Sequence, residues 1–329
     1  MLEQLTTLAA INLSSPVVLF FGLGVLAAML RSDLTVPDAF AKGLTIYLML
    51  SIGFKGGVAI ARHGITWEFA VVAAAGMLIG LSIPFIAFFL LRATSKLDRV
   101  SAAAVAAHYG SVSIVTFVAA STLLKSMGVE FDGFMVAVTA LMETPAIIAG
   151  LWLANADGSR SPADRSFVSN ELMREVFLNG SVVLLMGAFL VGLISGEKGM
   201  EAVSPFIEAP FKGILCLFML DMGLLAGRRL MSTNAVSLSL ILFALYMPLI
   251  GASLGLAASL LIGSSVGTTM LLMTLCASSS YIAVPAAMRI ALPQANPAVY
   301  LTLSLAITFP FNLTLGLPLY FFAAGGVMQ

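Results

Sequence analysis

The sequence predicts an all-α membrane protein, with ten transmembrane helices arranged as two inverted five-helix repeats. Three observations carry this. Of 329 residues, 60% are hydrophobic and 10% are charged, whereas soluble domains carry about 25% charged residues. Mean hydropathy is +1.05. The apolar residues also fall into ten runs, five on each side of one polar stretch. A soluble fold has too little interior to hide so many apolar side chains, so the solvent of this chain is lipid.

A spanning helix needs about 20 apolar residues, with a range of about 17–25. The runs lie near residues 14–30, 39–61, 67–91, 100–123, 133–154, 177–195, 209–227, 236–262, 266–290 and 298–322. The first run is preceded by Glu3 and by no Lys or Arg, so no cleavable signal is expected there. The longest polar interruption, Asn155 to Glu175, holds Asp157, Arg160, Asp164, Arg165, Glu171 and Arg174. It divides the chain into a first repeat over 1–155, a linker over 156–176 and a second repeat over 177–329.

Five spans is an odd number, so the second repeat enters the membrane upside down relative to the first, as in many secondary transporters. Three matches in order support the repeat. Gly53-Phe54-Lys55-Gly56-Gly57 in run two answers Gly223-Leu224-Leu225-Ala226-Gly227 in run seven. Polar interruptions fall in runs four and nine. Glu143-Thr144-Pro145 in run five answers Thr308-Phe309-Pro310 in run ten.

Lys and Arg set the orientation, because cytoplasmic loops carry the excess. With the N-terminus outside, the inward connections hold Arg31, Lys42, Arg92, Lys96, Arg99, Arg160, Arg165, Arg174, Arg228, Arg229 and Arg289. The outward ones hold only Arg62, Lys125, Lys198 and Lys212. Both termini are therefore expected outside and the linker in the cytoplasm. Net charge is zero with no basic or acidic tail, which excludes a nucleic-acid partner. Cys216 and Cys276 lie inside apolar runs and read as small buried hydrophobes, with neither a disulfide framework nor a metal site.

The chemistry is expected at the interruptions. Run four contains His108-Tyr109-Gly110-Ser111-Val112-Ser113-Ile114-Val115-Thr116, and run nine contains Ala277-Ser278-Ser279-Ser280-Tyr281-Ile282-Ala283-Val284-Pro285. Non-helical backbone survives at membrane depth only when buried in protein or lining a cavity. Gly110 lets the chain leave helical geometry, and Pro285 removes an amide that would bond to the carbonyl of Tyr281. Each break exposes a half-helix N-terminus, whose amides attract anions. Gly110, Ser111, Ser113, Ser278, Ser279, Ser280 and Tyr281 are the candidate substrate-binding residues, in one site built from both breaks. A serine in a span also serves simply to pack helices closely.

Ionisable residues within the spans are Lys55, Glu143 and Asp221. Glu143 falls near mid-depth, level with both breaks, and Pro145 frees backbone groups beside it. Glu143, Thr116 and Asp221 are the candidate cation-binding or coupling residues, with Na⁺ expected near Glu143. Lys55 is close enough to its span's outer end to snorkel, and its distance from Asp221 argues against a direct pair. His108 reads as a satisfied interior histidine or a proton-coupling group. Concentrating an anion inside a cell opposes the membrane potential, about 2.3 kcal/mol per charge per 100 mV. A co-transported cation offsets this.

Several of these residues form a family pattern. Ala277-Ser278-Ser279-Ser280, Pro285, Arg289, Pro293, Ala295-Asn296-Pro297 and Tyr300 resemble the signature of the cyanobacterial-type sodium-dependent bicarbonate transporters. So do Gly110, Val112-Ser113 and Thr116, and Met142-Glu143-Thr144-Pro145-Ala146. The resemblance spans nearly the whole chain. It implies a ten-helix fold with gate and core parts drawn from both repeats. It also implies two discontinuous helices crossing in the core, with bicarbonate at the crossing and Na⁺ nearby. A homotrimer in the cell inner membrane and an elevator-like motion are implied as well. The chain departs from the pattern at Ile114 and Val115, where the family has Gly and Ser. It departs again at Tyr281 and Glu143, each of which replaces an Asp.

The function expected is Na⁺-coupled import of bicarbonate or a related small anion across the lipid bilayer. A Na⁺- or H⁺-coupled carrier of a small organic acid is the alternative, since Tyr281 suits a larger or less charged solute. A channel and an intramembrane enzyme pairing a serine with His108 are the remaining readings. No motif places a base beside a nucleophile, so the chain reads as not an enzyme.

Overall fold

In the computed structural model the described residues are 10, 12–64, 66–155, 180–232 and 236–327. The linker read over 156–176 lies outside them. Among the described residues all regular structure is helical. Before the undescribed stretch over 156–179 come α1 (Pro16–Met29), α2 (Asp38–His63), α3 (Trp67–Thr94), α4 (Arg99–Gly110), α5 (Ile114–Ser126), α6 (Met135–Leu141) and α7 (Glu143–Asn155). Then come α8 (Gly180–Ile207), α9 (Phe211–Ser232), α10 (Leu238–Ile262), α11 (Val266–Ala277) and α12 (Ala283–Ala291). The last run combines α13 (Pro297–Leu301), α14 (Phe309–Phe311) and α15 (Leu317–Val327), joined by π-helical turns over Thr302–Thr308 and Asn312–Gly316.

Helix starts follow from capping chemistry. Asp98 accepts from the N–H of Ser101 at the head of α4. Ser113 does the same for α5 through Thr116, and Ser265 for α11 through Thr268. Each such side chain satisfies an amide that has no partner within its helix.

Seven helical stretches among the described residues are long and apolar enough to cross a membrane, counting α4 with α5, α6 with α7, and α13 through α15 as one each. Two further apolar helices, α1 and α11, are shorter. The protein is a multi-pass membrane protein. Leu19, Leu23 and Leu26 of α1, Phe85 and Phe89 of α3, and Leu190 and Ile194 of α8 point outward, as they do where lipid is the solvent.

The helices form two packed groups. In one, α2 runs along α8 and α1 along α9; in the other, α3, α4, α7, α10 and α11 pack together. The glycine matches of runs two and seven lie in the first group. A Cβ on Gly57 would collide with the Phe189 carbonyl of α8, and one on Gly223 with the Phe21 carbonyl of α1. The interrupted helices lie in the second group. Every residue from Ser101 to Ala120 and from Gly267 to Tyr281 is buried, as non-helical backbone requires.

Three local readings are revised. Gly110 is the last residue of α4, and its φ is not positive. It is glycine because α3 passes so close: a Cβ would collide with the Pro84 ring and come within 2.7 Å of the Gly80 carbonyl. Pro285 does not loosen a helix after the serines. It is the third residue of α12, in the first turn, where a missing N–H costs little. The sixth run does not stop near 195, because α8 bends at Gly196 (φ 55°) and continues to Ile207. In the tenth run Pro310 lies in α14, between the two π-helical turns. Pro145, by contrast, acts as read. It removes the donor for the carbonyl of Leu141, and the helix is interrupted at Met142, between α6 and α7.

Candidate functional site

The first break covers Ser111 to Ser113, between α4 and α5. Ser111 N–H donates to the Ala107 carbonyl at 3.2 Å and so ends α4. Ser111 Oγ donates to the Glu143 carbonyl at 3.3 Å, which ties the break to the head of α7. Ser113 Oγ accepts from Thr116 N–H at 3.2 Å.

The second break covers Ser278 to Ile282, between α11 and α12. Ser278 Oγ donates back to the Leu275 carbonyl at 2.8 Å. Ser280 Oγ accepts from Val284 N–H at 3.4 Å, near the start of α12.

The two breaks are joined in both directions. Ser113 N–H donates to Ser278 Oγ at 2.8 Å. Ser280 N–H donates to the His108 carbonyl at 2.8 Å. Residues about 165 positions apart thus complete each other's hydrogen bonds, which is what keeps two open backbones tolerable away from water. Some polar groups are left over. Ser279 Oγ, Tyr281 OH and Glu143 Oε2 are buried without a partner. Tyr281 OH faces the Ser113 side chain without a hydrogen bond of ordinary geometry. Its ring packs on Phe309, centroids 5.3 Å apart.

Residues 16–325 match the family model of the Na⁺-dependent bicarbonate transporter superfamily. The chain belongs to that superfamily. Membership makes it a protein of a transport family and points to anion movement rather than to enzymatic turnover. No curated protein matches the chain.

Within this member of the superfamily, the expected substrate residues Gly110, Ser111, Ser113, Ser278, Ser279, Ser280 and Tyr281 lie at or beside the two joined breaks and are buried. Thr116 is tied to them through Ser113, and Glu143 through Ser111. Asp221 is not part of this cluster. Its charged neighbours are Asp38, at the start of α2, and Arg228, near the end of α9. Lys55 reaches the opposite end of α2, where its Nζ lies 4.5 Å from the centre of the Phe211 ring, near Glu208 and Lys125. The two residues do not pair, as expected from their depths. Among the described residues no three His, Cys, Asp or Glu side chains converge as for a metal ion, so a cation held here relies on Glu143 with hydroxyl and carbonyl oxygens.

His108 is half satisfied. Its Nδ1 lies 2.6 Å from the Ala104 carbonyl, its Nε2 has no partner, and its ring stacks on Tyr300 at 4.4 Å. This histidine touches the site through its backbone carbonyl rather than through its ring.

Sequence reasoning missed the support behind the second break. Asn312 Nδ2 donates to the Ala277 carbonyl at 2.9 Å, the last of α11. Tyr320 OH in turn donates to Asn312 Oδ1 at 2.7 Å. Tyr109 OH and Thr308 Oγ1 lie 2.6 Å apart. The available signal was Asn312 itself, an amide in the middle of an apolar run.

Proposed function

We propose that the protein is a Na⁺-coupled secondary transporter that imports bicarbonate or a related small anion, bound where the two breaks meet. The observation that carries this is the leftover chemistry at a shared crossing. Two half-helices are tied together by reciprocal bonds, yet the Ser279 and Tyr281 hydroxyls and a Glu143 oxygen stay buried and unpartnered. Buried polar groups are nearly always satisfied, so orphans at one place argue for ligands that complete them. Hydroxyls and the N-terminus of α5 suit an anion; the carboxylate of Glu143 and nearby oxygens suit Na⁺. The cation supplies the charge that inward anion movement against the membrane potential requires.

The inverted-repeat reading has support in how the helices pair. Exchanging each span of the first half with its counterpart in the second turns the α1–α9 pairing into α8–α2. It turns α3–α4 into α10–α11, and α5–α11 into α12–α4, and each of these pairs is in contact. On this reading, residues 1–155 and 177–329 are the two repeats, the termini lie outside, and the protein lies in the cell inner membrane. Alternating access is then motion of the group holding the breaks past the group of α1, α2, α8 and α9. A homotrimer follows from the family resemblance alone.

The test is uptake of labelled bicarbonate into proteoliposomes with and without an inward Na⁺ gradient. The proposal expects uptake that depends on the gradient and saturates. Uptake indifferent to Na⁺ would remove the coupling, and non-saturating flux would indicate a channel.

A further inference from the structure

An anion held at the second break lies off the C-terminal end of α11. The last carbonyls of a helix have no partner within it, and that end of the macrodipole is negative. Bare carbonyls there repel an anion and draw a cation. How they are covered therefore bears on which ion the break prefers.

The carbonyls at the end of α11 are covered in three ways. The helix ends at Ala277, directly before Ser278. The Leu275 carbonyl accepts from Ser278 N–H at 3.2 Å and from Ser278 Oγ at 2.8 Å. The Cys276 carbonyl lies against α10, so close that a Cβ on Gly251 would collide with it. The Ala277 carbonyl is the one next to the break, and its donor comes from the last run: Asn312 Nδ2, at 2.9 Å.

Asn312 is wholly buried and opens the second π-helical turn, an irregularity frequent at functional sites. The Ala277 carbonyl can only accept, so the NH₂ of the amide faces it and Oδ1 is left to accept from Tyr320 OH at 2.7 Å. Gly316 makes room for this pair. A Cβ there would come within 2.8 Å of Oδ1 and 3.1 Å of the Tyr320 ring. Burying an amide is costly unless its groups are bonded. The bond that Asn312 makes outside its own run is the one to Ala277.

We infer that Asn312 is a positioning residue that sets the ion preference of the second break: by covering the Ala277 carbonyl it turns the break toward an anion. This rests on the reading that the breaks form the anion site. Tyr320 acts behind Asn312 by fixing which end of the amide faces Ala277. At the first break Ser280 N–H covers the His108 carbonyl. There the donor is backbone, whereas at Ala277 it is a side chain that substitution can remove.

The experiment uses the full chain in proteoliposomes. Half-saturating bicarbonate is measured at saturating Na⁺, and half-saturating Na⁺ at saturating bicarbonate, for the unmodified protein, Asn312→Leu and Tyr320→Phe. Asn312→Leu is expected to raise half-saturating bicarbonate about fivefold, the size of one net hydrogen bond. Half-saturating Na⁺ stays level or falls, because a bare carbonyl suits a cation. Tyr320→Phe keeps the amide but frees its direction, so it gives the same split at smaller size. A purely structural role weakens both ions or neither. A rise in both constants, or a bicarbonate constant that does not rise, overturns the inference and leaves the site reading standing. Should Asn312→Leu fail to fold, Tyr320→Phe decides on the same criteria. Absence of Na⁺-dependent bicarbonate uptake by the unmodified protein would instead overturn the site reading, and this inference with it.

Discussion

The first break is three residues long and spends nearly all its polar groups. Ser111 bonds the Glu143 carbonyl, Ser113 N–H bonds Ser278, and Ser113 Oγ caps α5. The second break is five residues long and does not. Ser278 and Ser280 tie it to the first break and to α4, but the hydroxyls of Ser279 and Tyr281 remain without a partner. The difference teaches that two similar-looking serine clusters divide the work. The first is a scaffold that fixes where the crossing sits. The second uses two serines to reach that scaffold and leaves the hydroxyls of Ser279 and Tyr281 without a protein partner, the groups that the proposed function gives to a ligand. Changes in the first break should therefore cost stability before function, and changes in the open part of the second should do the reverse.

The largest effect is expected from Gly110→Val. Its new side chain meets Pro84 and the Gly80 carbonyl of α3, and overpacking of this kind costs about 3 kcal/mol. Thermal unfolding of the detergent-purified protein reads it; an unchanged midpoint would mean that α3 yields easily and the first break is no scaffold. Ser278→Ala comes next. It strands the buried Ser113 N–H, at about 1–3 kcal/mol, and a melting curve matching the unmodified protein would show that the reciprocal bonds do not hold the crossing. Glu143→Gln keeps the shape but removes the buried carboxylate. Na⁺ stimulation of uptake should fall about tenfold, equivalent to about 1.4 kcal/mol, and full stimulation would move the cation site elsewhere. Glu197→Ala supplies the baseline outside both breaks. It removes an exposed partner of Arg62, worth about 0–1 kcal/mol, so a larger shift in midpoint would undercut the use of unfolding to separate scaffold from site.

Much of this was legible in the sequence because it rests on residue type and position. Apolar runs have to be helical in lipid, so their locations followed from hydropathy alone. Serines clustered within such runs are poor lipid-facing residues, and both clusters mark points where the helices stop. The joining of the clusters was foreseen only as a shared site. The bonds that make it, Ser113 to Ser278 and Ser280 to His108, depend on which backbone faces which. Periodicity carries no such information. Gly110 was read for its conformational freedom, whereas its φ is ordinary and its smallness serves α3; one chain read alone does not reveal a neighbour 26 residues earlier. Pro285 suggested a break in the right region, but the chain leaves the helix at Ser278, ahead of the proline. Asp221 looked like Glu143 by composition, and only packing separates the two: one sits beside the first break, the other near Asp38 and Arg228.

The central claim is that the open part of the second break binds the transported anion. Ser279→Ala tests it most directly, since this hydroxyl has no partner to lose. Uptake of labelled bicarbonate would be measured in proteoliposomes under an inward Na⁺ gradient, at equal amounts of folded protein. The account predicts an unaltered melting midpoint and a loss of at least about tenfold in uptake of the transported anion, equivalent to about 1.4 kcal/mol. Undiminished uptake by Ser279→Ala would contradict it and leave both breaks as structure alone.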